Sequence, residues 1–269
     1  MSVASDMRAA VTTNGHPAEE MHVLVLATGN QHKVDEITRI LAPQLPGWRF
    51  MKLSDALSEA GITTYQEPEE TGATFLENAR IKARDAYKAL KDSGFSSCGK
   101  PSYGKLNGIA DATSATATKN EQACAEHQTK PCWWAVVADD SGLEVDALEG
   151  RPGVYSARYA GAHGDNERNR KKVLAELAGV PTEQRTAQFV CQLVCITYLG
   201  NEILATGHMK GSIIDAERGE FGFGYDPIFT SERYPHKTNA ELLPDEKHAI
   251  SHRGKASSEL AQALTDYAE

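Results

Sequence analysis

The sequence predicts an α/β protein built on a mixed sheet, and three features predict it. The apolar run His22 to Ala27 feeds a short turn and then an amphipathic helix, the strand–turn–helix unit of α/β folds. A second helical stripe, Phe75, Ala79, Ala83, Ala86 and Leu90, starts at Thr74 and Glu77, which have capping-box spacing. The long run Thr186 to Leu199 turns at Gly200-Asn201 into Glu202 to Lys210, a hairpin that brings antiparallel pairing into the sheet.

The elements follow in order. After the first strand, Thr28-Gly-Asn30 breaks the run. Val34, Ile37, Ile40 and Leu41 then share one helix face, which stops before Pro43. Trp48 to Leu53 and Ile62 to Tyr65 read as further strands. The long helix follows, and from 92 to 132 the pattern dissolves into Ser, Thr, Ala, Gly and Lys, as in a disordered insertion. Cys98, Cys124, His127 and Cys132 fall there with irregular spacing that matches no zinc site. Order resumes at Trp133 to Ala138, a buried strand that ends on Asp139-Asp-Ser-Gly142, with a second short strand from Leu143 to Ala147. Gly150-Arg-Pro-Gly153 is a turn. Asp165 can cap a helix carrying Val173, Leu174 and Leu177, closed by Gly179 and Pro181. Gly219 to Tyr225 is a glycine-aromatic loop. A last helix from about Gly254 to Tyr267 turns Ala256, Leu260, Ala263, Leu264 and Tyr267 inward. The expected organisation is a disordered tail over 1–20 and one domain over 21–269, interrupted by the insertion at 92–132.

The chain has 269 residues and a formal net charge of −9. That balance argues against a general nucleic-acid binder, which needs a basic face, but not against a small anionic ligand met by a few local lysines. No apolar run approaches membrane-spanning length. The first twenty residues carry Asp6, Glu19 and Glu20 against Arg8 and lack a hydrophobic signal core. With five cysteines, an odd number, the expected compartment is the reducing cytoplasm. Cys191 and Cys195 lie in an apolar run and read as packed thiols.

Four segments can carry chemistry. In Thr28-Gly-Asn-Gln-His-Lys33, Gly29 permits a tight turn, Asn30 can cap the helix, and Lys33 sits in its first turn, where a cation opposes the helix dipole. An anion over the helix end would attract both. From this hexapeptide alone an ordinary turn with a solvated lysine is the plainer reading, and the spacing is not that of a P-loop. Asp139-Asp140 after a buried strand are costly unless paired or metal-bound. Alternation points the two carboxylates to different sides. Glu69-Glu70 are a second acidic pair. One carboxylate from each, with waters and phosphate oxygens, would suit octahedral Mg²⁺; helix capping and surface charge are the plainer alternatives. Phe223 or Tyr225 could stack on a base and Asp226 could read a ring N–H, with Gly224 allowing close approach; such loops also pack simply against a core. Lys247, His252 and Arg253 offer donors for a carbonyl or phosphate, or form a polar helix start. No Ser/His/Asp or Cys/His arrangement of a covalent nucleophile is evident.

Taken together, five segments resemble the inosine triphosphate pyrophosphatase family: LATGNQHKVDEI (26–37), EETGATFLENARIKA (69–83), ADDSGLEVDALEGRPGVYSARYAG (138–161), GEFGFGYDPIF (219–229) and AELLPDEKHAISHRGKA (240–256). The resemblance implies an elongated mixed α/β fold with two lobes around a central nucleotide cleft, a homodimer, and dependence on Mg²⁺, with Mn²⁺ a possible substitute. It implies hydrolysis of ITP, dITP or XTP to the monophosphate and pyrophosphate, which cleanses the nucleotide pool. Thr28, Gly29, Asn30, Gln31, His32 and Lys33 then match the phosphate loop, Lys82 a lysine reaching the phosphates, Asp140 the general base and Ser141 its substrate-contacting neighbour. Metal ligation falls on Asp140 with Glu69 or Glu70, of which Glu70 is favoured. Phe223, Gly224, Tyr225 and Asp226 match the base pocket; Lys247, His252 and Arg253 match the residues that recognise a 6-oxo purine, and Arg158 lies near the nucleotide.

The tail and the insertion depart from the family and leave every motif intact. Two other readings compete with this one. A related family acting on pyrimidine triphosphates is disfavoured by the Ser251-His-Arg-Gly254 and 138–161 segments. A silent nucleotide sensor using the insertion is disfavoured by the intact Asp140, Lys33 and acidic pair.

Overall fold

The computed structural model describes residues 22–96, 133–162 and 164–268. The expected tail, residues 97–132 of the expected insertion, and Cys98, Cys124, His127 and Cys132 lie outside the described residues. Six strands form one sheet in the order β2-β1-β3-β4-β5-β6. They are β1 (His22–Leu26), β2 (Trp48–Lys52), β3 (Trp134–Val145), β4 (Thr186–Thr197), β5 (Glu202–Ile213) and β6 (Phe229–Ser231). β1 runs parallel to both β2 and β3; the remaining pairs are antiparallel. The expected mixed sheet is therefore present, with the hairpin of β4 and β5 as its antiparallel half.

Helix α1 (Gln31–Leu41) returns the chain from β1 to β2. Asn30 caps it, accepting from the backbone N–H of His32 at 3.0 Å and of Lys33 at 3.4 Å, as expected of an Asn at that position. α3 (Phe75–Asp92) opens with the full Thr74–Glu77 capping box. α2 (Leu53–Glu59), α4 (Asn166–Glu176), α5 (Pro244–Ile250) and α6 (His252–Ala268) complete the α-helices among the described residues.

The core has three parts. Val23, Val25, Trp134, Val136 and Ala138 face α2 and α3 on one side of the sheet. Leu24, Leu26, Ala135, Val137 and Cys195 face α1 and α6 on the other. β3, β4 and β5, with 12 residues each, outreach these layers. Their far halves bury Leu143, Val145, Phe189, Met209 and Ile213 against α4, Tyr225 and Phe229. Two lobes thus share the long strands, and the middle of β3 lies where they meet.

Four expectations on elements are corrected. β3 is one strand, not two with a break at Asp139–Gly142. Its ladder with β4 continues through Asp139↔Leu193, Asp140↔Gln192 and Ser141↔Cys191, because cations from three distant helices neutralise the buried acids. Ile62 to Tyr65 is not a strand; Ile62 and Tyr65 pack on the α3 side instead, and the Tyr65 hydroxyl donates to Asp85 at 2.7 Å. Leu53 begins a helix, α2, rather than ending a strand. The polar segment before the last helix is itself a helix, α5, and α6 starts at His252. Gly142 serves packing, not strand termination: a Cβ there would lie 2.8 Å from the Gly153 carbonyl oxygen and 2.9 Å from the Phe75 ring.

Candidate active site

Alternation along β3 sends Asp139 and Ser141 to the α1/α6 side and Asp140 to the α3 side. On the α3 side, Asn78 and Lys82 are one helical turn apart and both buried. Asn78 donates to Asp140 Oδ2 at 3.2 Å. Lys82 Nζ lies 3.3 Å from Asp140 Oδ1 and 2.8 Å from Glu70 Oε1. Arg158 donates to Glu70 Oε2 at 3.4 Å. Burial pushes both carboxyls up. At Glu70, Lys82 and Arg158 more than offset it and hold the group below its usual value. At Asp140, Lys82 and Lys33 pull down, but Glu70 and Asp139 push up again, and the net shift is upward. Burial disfavours the Lys82 ammonium, yet Asp140, Asp139 and Glu70 prevail and keep it charged. Glu69, by contrast, is exposed.

On the opposite side Asp139 is fully buried. It pairs with Lys33 and accepts from Arg253 Nε at 3.4 Å and the Cys191 thiol at 3.5 Å. Burial raises its carboxyl, but Lys33, Arg253 and Lys82 overwhelm that effect and hold it far below the usual range. Arg253, only 2 % exposed, spends its whole fork on the protein. Besides Asp139 it donates through Nη1 to Glu36 at 2.5 Å and through Nη2 to Ser141 Oγ at 2.8 Å. Asp139 and Asp140 are neighbours with opposite shifts, one fixed as an anion and one more basic than usual.

Another rim of the cleft is the Gly219–Tyr225 loop. The Phe223 ring stacks with His32 at 5.6 Å between centroids and 13°, so the Thr28–Lys33 turn and the aromatic motif meet across the cleft. Lys247 Nζ lies 4.9 Å and the Arg253 guanidinium carbon 5.8 Å from the same ring. Asp226 is occupied by the protein: its Oδ2 accepts from Lys247 at 2.7 Å and from the Phe223 N–H at 2.8 Å, and its Oδ1 accepts from Asn239 at 3.2 Å. Tyr225 is buried, its hydroxyl donating to the Ser156 carbonyl at 2.8 Å. His252 stacks on Phe189 at 4.9 Å. Burial, Arg253 and Lys247 keep it neutral, and its Nδ1 is buried with no partner among the described residues. Thr28 Oγ1 accepts from the Asn30 N–H at 3.2 Å; Gly29 and Gln31 are exposed, and a Cβ on Gly29 would meet the Glu67 carboxylate at 2.8 Å.

The motif residues therefore converge, except Glu69. Tyr225 and Asp226 support the loop, while Phe223 offers the aromatic face. Sequence reasoning missed Glu36, Asn78 and Asn239. Glu36 and Asn78 had a readable signal, a polar residue on the apolar stripe of a helix; nothing local marks Asn239. Two surface hollows of about 560 and 730 Å³ lie elsewhere, the first along α1 and β2 and the second between α1, α5 and α6.

A divalent metal can be tested against this donor set. Among the described residues no three His, Cys, Asp or Glu side chains gather as a metal cage. Glu70 and Asp140 are nonetheless brought to one ammonium, Lys82, so two hard oxygen donors already share a cation. That suits a metal that keeps several waters and takes phosphate oxygens, and the residues fit such an ion.

The sequence model described as the Ham1 family matches residues 24–97 and 101–263. A dITP/XTP pyrophosphatase of Clostridium perfringens is 40% identical over 244 residues, 91% of this chain and 98% of that protein. One of Bacillus subtilis is 40% identical over 245 residues, with the same coverage of both chains. The solved structure of a HAM1 protein from Coxiella burnetii superposes with a TM-score of 0.66 at 32% identity, covering 91% of this chain and 100% of that one. The Ham1 protein of Staphylococcus aureus gives 0.65 at 33%, covering 91% and 99%. The expected kinship with nucleoside triphosphate pyrophosphatases is borne out.

Proposed function

The chain belongs to the Ham1 family, and on that footing we propose that it hydrolyses deaminated purine nucleoside triphosphates, dITP, ITP and XTP, to the monophosphate and pyrophosphate. One observation carries the reading at atomic level. Asp140, on a rigid central strand, shares Lys82 with Glu70 beside a helix start that holds Lys33.

Asp140 is the general base, orienting and deprotonating a water for in-line attack on the α-phosphorus. Lys33 and Lys82 bind the triphosphate, and the α1 N-terminus adds backbone N–H groups. Glu70 and Asp140 would hold Mg²⁺, with Mn²⁺ a substitute, and when bound it neutralises phosphate charge and stabilises the pyrophosphate leaving group. Phe223 stacks on the base. Lys247 and His252 line its 6-oxo edge, which adenine replaces with an amino donor that leaves such a site unpaired. Glu69 faces outward and takes no part. Arg253 acts mostly through Asp139, Glu36 and Ser141, the groups that saturate its fork.

The same proposal includes one catalytic domain over 21–269 with a tail at 1–20 and an insertion at 92–132, a homodimer, and work in the cytoplasm. The family resemblance supports these; among the described residues no helix is long and apolar enough to cross a membrane. Sedimentation tests the dimer. The deciding experiment incubates ITP, dITP, XTP, GTP, ATP and dTTP with Mg²⁺ and measures pyrophosphate against orthophosphate, with and without EDTA. Pyrophosphate from the 6-oxo purines without a 2-amino group, abolished by EDTA and restored by Mg²⁺, is expected; orthophosphate as first product refutes the mechanism.

A further inference from the structure

Both rims of the cleft hang from one turn of α4. This helix is strongly polar, and Asn169 and Val173 are its buried residues. The Asn169 carboxamide accepts from the Ala160 N–H at 2.7 Å and donates to the carbonyls of Ser156 at 3.4 Å and Ala157 at 3.3 Å. It thereby holds the turn that carries Arg158 to Glu70. The next residue, Arg170, serves the opposite rim. Its Nη1 donates to the Gly224 carbonyl at 3.0 Å, and its Nη2 pairs with Glu217 at 2.9 Å. The Arg170 side chain is 15% exposed, so its charge-assisted bond to the Gly224 carbonyl forms largely out of water, where it is strong, while Glu217 remains open to solvent.

The rim needs such a tie. Gly219, Gly222 and Gly224 all have positive φ, and three glycines in six residues make a loop that loses much backbone entropy on ordering. The Phe223 N–H is held by Asp226 on one side. The Phe223 carbonyl accepts from the Asp226 N–H at 3.2 Å, and the carbonyl of the following residue, Gly224, is the one Arg170 holds. Phe223 is therefore fixed between two anchors, one internal to the loop and one from helix α4.

We propose that Arg170 is a positioning residue for substrate selectivity: by clamping Gly224 and Glu217 it sets the pose in which Phe223 meets the purine. This rests on the reading of Phe223 as the base-stacking residue. A lysine cannot reproduce the clamp, because one ammonium lacks the planar fork that spans both partners.

The test compares wild type with Arg170→Ala and Arg170→Lys. Amide hydrogen exchange is followed without nucleotide, and steady-state pyrophosphate release is measured with ITP and ATP. In Arg170→Ala, exchange rises at residues 219–226 and not in β3. KM for ITP rises roughly tenfold with kcat within about twofold, the loss expected for one charged contact that acts on binding, and the ITP-to-ATP ratio of kcat/KM falls. Arg170→Lys restores part of each. Unchanged exchange at 219–226 overturns the clamp. Faster exchange with KM and the ITP-to-ATP ratio unchanged overturns the positioning role, as does a fall in kcat alone. If wild type releases no pyrophosphate from ITP, the functional reading fails, and the exchange measurement, which uses no substrate, still decides the clamp.

Discussion

Glu36 offers the sharpest test of how the centre is held together, because its effect is read without any substrate. Its carboxylate, 5 % exposed, accepts from Arg253 Nη1 at 2.5 Å. Truncation by Glu36→Ala leaves one arm of a buried guanidinium unpaired. Removing one partner of a buried pair costs about 3–5 kcal/mol. The lower end applies here, since Asp139 and Ser141 still hold the other arms. A loss of about 3 kcal/mol corresponds to a drop in Tm of about 6–12 °C at this chain length. Glu36→Gln keeps an acceptor and loses the charge, so about 1–2 kcal/mol is expected. Urea or thermal denaturation, with Arg253→Met completing a double-mutant cycle, measures the coupling. A Glu36→Ala protein that melts with wild type would show that the Arg253 network adds nothing to the fold.

The remaining predictions concern pH and turnover. Burial raises the Glu36 carboxyl, but Arg253 and Lys247 outweigh it and hold the group below its usual value. A lowered folded value stabilises above the unfolded pKa of about 4.3 and is lost as pH falls through the folded one, so Glu36→Gln should flatten the acid limb of a stability profile below that pH. Asp140→Asn retains an acceptor for Asn78 and should cut turnover by about a hundredfold or more with nucleotide binding kept; wild-type turnover would unseat Asp140 as base. Phe223→Ala should weaken ITP binding by roughly tenfold or more, the worth of one base–aromatic stack. An unchanged KM for ITP would move the base elsewhere.

Much of the fold was legible because its signals are local. The Asn30 cap, the Thr74–Glu77 capping box and the Gly200-Asn201 hairpin each rest on neighbours in the chain, and each is present. The acids at 139–140 were legible as costly and as facing apart. They were misread as a strand end, because a buried carboxylate looks like a breaker until its cations are known. Those cations are Lys33, Lys82 and Arg253, 106, 58 and 114 positions away from their partners in the chain.

By itself the sequence determined the strand–helix order, the polar residues that had to gather, and the family whose chemistry they serve. Only the tertiary structure decided which partner each one takes. It turned Glu70 inward and left Glu69 in solvent. It committed Arg253 to Glu36, Asp139 and Ser141, and hung the Phe223 loop on Arg170. The physical reason is that caps and hairpins are satisfied within a few residues, whereas a buried charge is satisfied by whatever the packing of distant elements brings within about 3 Å.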